Sequence, residues 1–177
     1  IAGTLAKKTS TFSYNAFSSI NFPDLAEIRD SRVVRFLPCG ETGKPVFTKK
    51  LNDRVALLKL IPGLSPEAFS ALGAWCDGLI IESYGVGGIP DAYLQQLDML
   101  VKAGKTVVLA TQVPQEGSDL SVYQVGHRVK ERYRLLEPYD MTLESTVTKL
   151  MWVLGQTADP EEARRLFYTP VNYDLLF

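Results

Sequence analysis

The sequence predicts an α/β fold: an open parallel sheet with helices on both faces. Three observations predict it. Three short runs at 55–61 (V-A-L-L-K-L-I), 78–83 (G-L-I-I-E-S) and 105–111 (K-T-V-V-L-A-T) are apolar almost throughout, as strands covered on both sides are. Amphipathic stretches alternate with them. Each of those stretches carries start or stop signals of a helix, such as Ser65-Pro66 or Gly104. Together these give a three-layer arrangement of flavodoxin or Rossmann type, preceded by a short β-hairpin segment.

The elements follow in order. The first fifty residues carry few large apolar groups. Residues 4–14 are polar and β-leaning, and the stretch S-S-I-N-F-P-D-L around Pro23 reads as a loop. Residues 32–37 (R-V-V-R-F-L) and 45–51 (P-V-F-T-K-K-L) read as two strands, and the glycines between them suggest that they pair as a hairpin. After the run at 55–61, Ser65 supplies a cap and Pro66 the first helical position, so a helix extends to about Trp75. Pro90 opens a second helix with Leu94, Leu97, Leu100 and Val101 on one face and Gly104 past its end. Thr142 caps a third, with Val147, Leu150, Met151 and Leu154 inward and Trp152 beside that face. Asp159-Pro160 begins a charged last helix. No internal repeat or low-complexity tract interrupts the series.

Composition narrows the classes of function. The chain has 177 residues, 46% apolar and 22% charged, which suits one ordinary domain with a core and excludes disorder. Nineteen basic side chains face twenty acidic ones, so no net field favours nucleic acid or an anionic membrane. No apolar run has the roughly 18–20 residues a membrane span needs. The start Ile1-Ala2-Gly3 lacks both a methionine and a charged region leading into an apolar one. The expectation is a chain without a signal peptide, cytoplasmic, and either processed or cut from a longer polypeptide. In that compartment Cys39 and Cys76 are expected as two free thiols.

In open α/β sheets ligands bind outside the carboxyl ends of the strands. Three loops meet on that edge, at 62–64, 84–89 and 112–117. The second contains Gly85-Val86-Gly87-Gly88. It fits neither the dinucleotide G-x-G-x-x-G nor the P-loop G-x-x-x-x-G-K-[ST]. Phosphate binding by amides at a helix start stays physically open, beside the plainer reading of a tight strand-to-helix turn that needs glycine's φ range. Metal chemistry has little support, because His127 is the only histidine and no C-x-x-C occurs. His127 reads as a surface residue, and no G-x-S-x-G elbow exists to pair with it. Lys8, in a polar strand, reads by default as a solvated lysine.

A set of ordered motifs changes the reading. Ser83-Tyr84-Gly85-Val86-Gly87-Gly88-Ile89-Pro90 resembles the S-Y-G-V-G-N-x-P segment of cytoplasmic-type bacterial L-asparaginases. Asn15-Ala16-Phe17-Ser18-Ser19 with Asn21 resembles their D-A-F-x-S-x-N stretch, and Thr111-Gln112 with Gly117 their T-Q-x-x-x-G. Asp140-Met141-Thr142-Leu143-Glu144, followed by Lys149-Leu150, resembles D-M-T-x-E-A-x-x-x-K-L. The resemblance runs from Lys8 to about Phe167.

It implies an amidohydrolase that converts L-asparagine to L-aspartate and ammonia without a cofactor or metal, as a homodimer or homotetramer. It further implies that 1–22 is the end of an N-terminal domain, 23–53 a linker and hairpin, and 54–177 the C-terminal α/β domain. The family's catalytic lysine, nine residues before the Phe of D-A-F, corresponds to Lys8. Its threonine motifs, Thr-Gly-Gly-Thr and Thr-Asp-Thr, do not occur in this sequence, so the chain alone is expected to be inactive. The family's glycine loop reaches a neighbouring subunit's substrate, which makes Gly85, Gly87 and Gly88 the expected substrate-binding positions. Gly88 stands where the family has Asn. At an effector site of some members, Glu82 replaces Arg and Val113 replaces Cys, so activation by asparagine is expected to be absent. Two other readings remain: the archaeal glutamyl-tRNA amidotransferase subunit that frees ammonia from an amide, and a non-catalytic flavodoxin-like domain that binds a small ligand.

Overall fold

A computed structural model of the chain describes residues 1–38, 43–122, 129–130 and 132–175. Two short antiparallel hairpins come first: β1 (Ala6–Lys8) with β2 (Phe17–Ser19), and β3 (Ala26–Arg29) with β4 (Arg32–Arg35). A parallel sheet follows in the order β5 (Val55–Lys59), β6 (Gly78–Ser83), β7 (Thr106–Thr111). Leu136 extends it beyond β7 as a single parallel bridge to Val108. The helices are α1 (Pro66–Trp75), α2 (Leu94–Lys102), α3 (Leu143–Gln156) and α4 (Pro160–Phe167). The three parallel strands lie where the apolar runs placed them.

The second hairpin differs from the expected one. Residues 32–35 pair with 26–29 and not with 45–51. Asp30 and Ser31 both take positive φ, 45° and 63°, and close a two-residue turn whose twist matches the strands. Residues 45–51 form no strand. Their polar groups are met by α3 instead: Trp152 Nε1 donates to Thr48 Oγ1 at 2.7 Å, and Gln156 Nε2 to the Lys50 carbonyl at 2.9 Å. Asn52 N–H donates to the Met151 carbonyl at 2.9 Å. Gly155 lets this segment approach, since a Cβ there would lie 2.5 Å from the Lys50 carbonyl oxygen.

Both faces of the sheet are covered. Leu79 and Ile81 of β6 join Leu58, Leu109, Phe69 of α1 and Leu97 and Leu100 of α2. On the opposite face Ile80 and Val108 meet Leu150 and Val153 of α3 and Phe167 of α4. All six residues of β6 are buried, which explains its apolar run from Leu79 to Ile81. The helix starts follow from their caps. Ser65 Oγ accepts from Ala68 N–H, Thr142 Oγ1 from Ser145 N–H and Asp159 from Glu162 N–H. The helix after Pro90 begins as a 3₁₀ turn, Asp91–Tyr93. Cys76 is a buried free thiol, and burial pushes its pKa up; Cys39 lies outside the described residues.

The inward face of helix α3 is wider than the one read in the sequence. Its buried stripe is Thr146, Lys149, Leu150 and Val153, with Val147 and Leu154 at the margin and Met151 half-buried. Two polar side chains can face inward because both are satisfied. Thr146 Oγ1 donates to the Thr142 carbonyl at 2.9 Å. Lys149 Nζ lies 2.7 Å from Asp174 Oδ2 and donates to the Thr169 carbonyl at 2.9 Å, and both ion-pair side chains are almost fully buried. Burial pulls the pKa of Lys149 down, against the pull of Asp174. The pair ties the end of the chain to α3.

Removing one partner strands a buried charge, at a cost of about 3–5 kcal/mol. Lys149→Met is therefore expected to lower unfolding free energy in urea by about that amount. Adding Asp174→Leu to it should restore most of the loss, because the paired apolar residues leave no charge behind.

Candidate functional site

The carboxyl edge of the sheet is tied together by one side chain. Gln112, just past β7, donates through Nε2 to the carbonyls of Leu60 (2.7 Å) and Glu82 (3.0 Å). Its own N–H donates to the Ser83 carbonyl at 2.9 Å. The ends of all three strands are thus joined where the loops begin. Asn21 adds the N-terminal segment to this edge. With φ at 56°, it donates to the Asp140 carbonyl at 3.3 Å and accepts from Glu116 N–H at 2.8 Å.

The glycine loop leaves β6 at Ser83. Gly85 and Gly87 take φ of 54° and 119°, so the turn needs glycine at 87 in particular. The loop is held by hydroxyls and backbone from several sides. Ser83 Oγ donates to the Ala110 carbonyl (2.7 Å) and accepts from Gly88 N–H (3.2 Å). Thr111 Oγ1 donates to the Gly85 carbonyl and accepts from Val113 N–H at 3.0 Å. Gly87 N–H closes on the Tyr84 carbonyl at 3.1 Å, and Asp119 N–H reaches the Val86 carbonyl at 2.9 Å. The amides of Gly87 and Gly88 are therefore spent inside the turn, which argues against a phosphate cradle there. Among the described residues the N–H groups of Gly85 and Val86 meet no acceptor. A Cβ at Gly88 would meet nothing within 4 Å, so that position faces open space.

Beside the loop lies a cavity of about 300 Å³. Glu82 and Val113 both line it, with Lys7, Lys59, Gln112 and Thr146. The two positions singled out as effector-site substitutions are thus brought to one space. Lys59 Nζ lies 3.4 Å from the mostly buried Glu82 carboxylate. Lys7 Nζ lies 3.0 Å from Glu144 Oε1. Burial opposes the Glu144 charge, but its own backbone N–H and Lys7 hold its pKa below the usual carboxylate value.

Lys8 is not part of this cavity. Strand residues alternate in direction, and in β1 Lys7 lines the cavity while Lys8 is exposed, paired in register with Phe17. His127 lies outside the described residues. Among the described residues no group of three or more His, Cys, Asp or Glu is disposed to hold a metal, and no helix is long and apolar enough to cross a membrane. Sequence reasoning did not find the structural roles of Ser83, Thr111, Gln112 and Asn21. The available signal was their place at strand ends, where short polar side chains bond neighbouring backbone.

A parallel sheet covered on both faces, with a glycine turn and a cavity at its carboxyl edge, defines a three-layer α/β domain. The chain belongs to the glutaminase/asparaginase C-terminal domain family, whose pattern matches residues 54–167. It is 41% identical over 167 residues to an L-asparaginase of Thermococcus kodakarensis, covering 93% of this chain and 51% of that protein. It is 33% identical over 178 residues to a glutamyl-tRNA(Gln) amidotransferase component from Thermofilum pendens, covering 98% of this chain and 39% of that one. Among solved structures, the thermostable L-asparaginase from Thermococcus kodakarensis superposes with a TM-score of 0.91 at 38% identity, covering 98% of this chain and 53% of that one. L-asparaginase I from Vibrio cholerae shares the fold, with a TM-score of 0.83 at 24% identity over 99% of this chain and 54% of that one. The chain spans about half the length of the asparaginases it matches, and less of the amidotransferase component.

Gly87 and Gly88 can be separated by one substitution each. A Cβ at Gly87 would lie 2.6 Å from Leu120 Cδ2, in a backbone conformation that side chains avoid. Gly87→Ala is expected to cost about 1–3 kcal/mol in urea unfolding. Gly88→Ala, with open space around it, should stay near the parent value.

Proposed function

We propose that this chain is the C-terminal portion of an L-asparaginase, which in the complete protein hydrolyses the side-chain amide of L-asparagine to L-aspartate and ammonia. The observation that carries this reading is the 41% identity to an L-asparaginase over 93% of the chain. The glycine loop at the sheet's carboxyl edge agrees with it. In this reading 1–22 closes the preceding domain, 23–53 links, and 54–177 is the C-terminal domain. The protein is cytoplasmic, and its active site is shared between subunits of a homo-oligomer.

Amide hydrolysis needs a nucleophile, a group that takes its proton, and donors for the developing oxyanion. A threonine hydroxyl supplied by the rest of the protein adds to the amide carbon. The C–N bond breaks as the nitrogen gains a proton and leaves as ammonia, and water then releases aspartate. Lys8 belongs to the proton relay of that step. The loop's share is binding. The free N–H groups of Gly85 and Val86 donate to the substrate carboxylate, while Gly87 and Gly88 hold the turn in shape. Glu82, already engaged by Lys59, does not pair with an amino acid's carboxylate, so asparagine does not activate this enzyme.

A second reading rests on the 33% identity to the amidotransferase component over 98% of the chain. There the same ammonia would be passed on rather than released. Assaying the complete protein for ammonia release from free asparagine, with and without glutamyl-tRNA, separates the two. Release that is independent of tRNA supports the asparaginase, and strict dependence on it supports the amidotransferase.

Two outcomes follow from the loop and the missing nucleophile. Gly88→Asn in the complete protein adds a side-chain amide at an open position. A hydrogen bond to a charged group is worth about 1.5–3 kcal/mol, so KM for asparagine should fall by about ten-fold or more; an unchanged KM would put the loop away from substrate. The 177-residue chain alone should release no ammonia from asparagine, and mixing it with a polypeptide that carries the threonine motifs should restore release. Turnover by the chain alone would contradict the assignment.

A further inference from the structure

Glu137 is a carboxylate with no exposed surface, and nothing in the hydrolysis uses it. It accepts from Leu120 N–H at 2.8 Å and from Lys130 Nζ. Lys130 also donates to the Tyr139 hydroxyl at 3.2 Å and sits over that ring, 5.0 Å from its centroid. Burial works against the Lys130 charge, but Glu137 and Tyr139 outweigh it and raise its pKa. A buried ion pair adds little net stability over well-packed apolar residues. Its geometry therefore calls for another explanation, and the explanation lies in what Glu137 holds.

Residues 118–120 run between the 137–139 segment and the glycine loop, and their amides alternate between the two. Ser118 N–H donates to the Tyr139 carbonyl at 2.9 Å, Asp119 N–H to the Val86 carbonyl at 2.9 Å, and Leu120 N–H to Glu137. The Leu120 side chain is fully buried and fills the space where Gly87 has no Cβ. From Glu137 to the loop the path is short on either route, through Leu120 itself or one residue further through Asp119. Through Asp119 the link is a hydrogen bond to Val86, and through Leu120 it is a packing contact on Gly87. Ser83 and Thr111 hold the loop from the sheet side, and this strap holds it from the other.

We propose that Glu137 and Lys130 form a positioning pair that fixes the glycine loop through residues 118–120, so that substrate affinity depends on a carboxylate which never touches substrate. The dependence on substrate rests on the reading that this loop faces the active site, whereas the anchoring itself does not.

Native-state amide hydrogen exchange on the chain tests the anchoring without any assay of activity. Glu137→Leu removes the acceptor for Leu120 N–H and the partner of Lys130. Lys130→Met removes only the ammonium, and serves where Glu137→Leu does not fold. Either variant should speed exchange at Gly87, Gly88, Asp119 and Leu120 at least ten-fold relative to the amides of β6. Uniform acceleration everywhere, or none at the loop, would overturn the proposal. In the complete protein, Glu137→Gln keeps an oxygen for Leu120 N–H and should recover most of the KM that Glu137→Leu loses. Glu137→Leu itself should raise KM several-fold while kcat stays within about two-fold. A loosened loop with unchanged KM would refute the claim for substrate, and would do so by showing that the loop does not face it.

Discussion

Everything in this domain is arranged around the burial of β6 on both faces. Gly78–Ser83 has no exposed side, so each of its residues must find apolar or hydrogen-bonded surroundings. Leu79 and Ile81 require α1 and α2, and Ile80 requires α3 and α4. Gly78 is part of the same constraint: a Cβ there would lie 2.7 Å from Leu154 Cδ1 of α3. The strand therefore fixes which helices lie on which side. Its last two residues, Glu82 and Ser83, then open into the cavity and the glycine loop.

The loop inherits its rigidity from that strand. Buried backbone groups must be paired, and in residues 84–88 most of the pairing comes from neighbours rather than from a ligand. Ser83 and Thr111 bond the loop from the sheet, and Asp119 bonds it from the strap. What is left over among the described residues is the amides of Gly85 and Val86 and the open position at Gly88. A turn held in this way presents donors without reorganising them, which is the condition under which binding groups are worth most.

Much of the fold was legible in the sequence because local signals and burial agreed there. The apolar runs at 55–61, 78–83 and 105–111 coincide with β5, β6 and β7, and Ser65, Thr142 and Asp159 cap the helices that follow them. One reading failed and one was incomplete where the two signals diverged. The hairpin at 26–35 turns on Asp30-Ser31, a dipeptide without glycine, while the more glycine-rich stretch after residue 37 drew the pairing to 45–51. The face of α3 was read too narrowly because Thr146 and Lys149 look solvent-exposed until their partners, the Thr142 carbonyl and Asp174, are known. Of the candidate site, the sequence motifs marked the glycine turn and the positions of Glu82 and Val113, which line one cavity. The bonds that shape the loop were not visible, because Thr111 and Asp119 lie more than twenty residues from the groups they hold.

The central claim is that this loop contacts the substrate through the backbone of Gly85 and Val86. Crystals of the complete protein with L-aspartate bound test it most directly. The account predicts a ligand carboxylate within about 3.2 Å of the Gly85 or Val86 nitrogen, the ordinary reach of an N–H···O bond, with the loop contributed by a neighbouring subunit. A bound aspartate whose carboxylates are met entirely by other residues, with the loop turned to solvent, would contradict it.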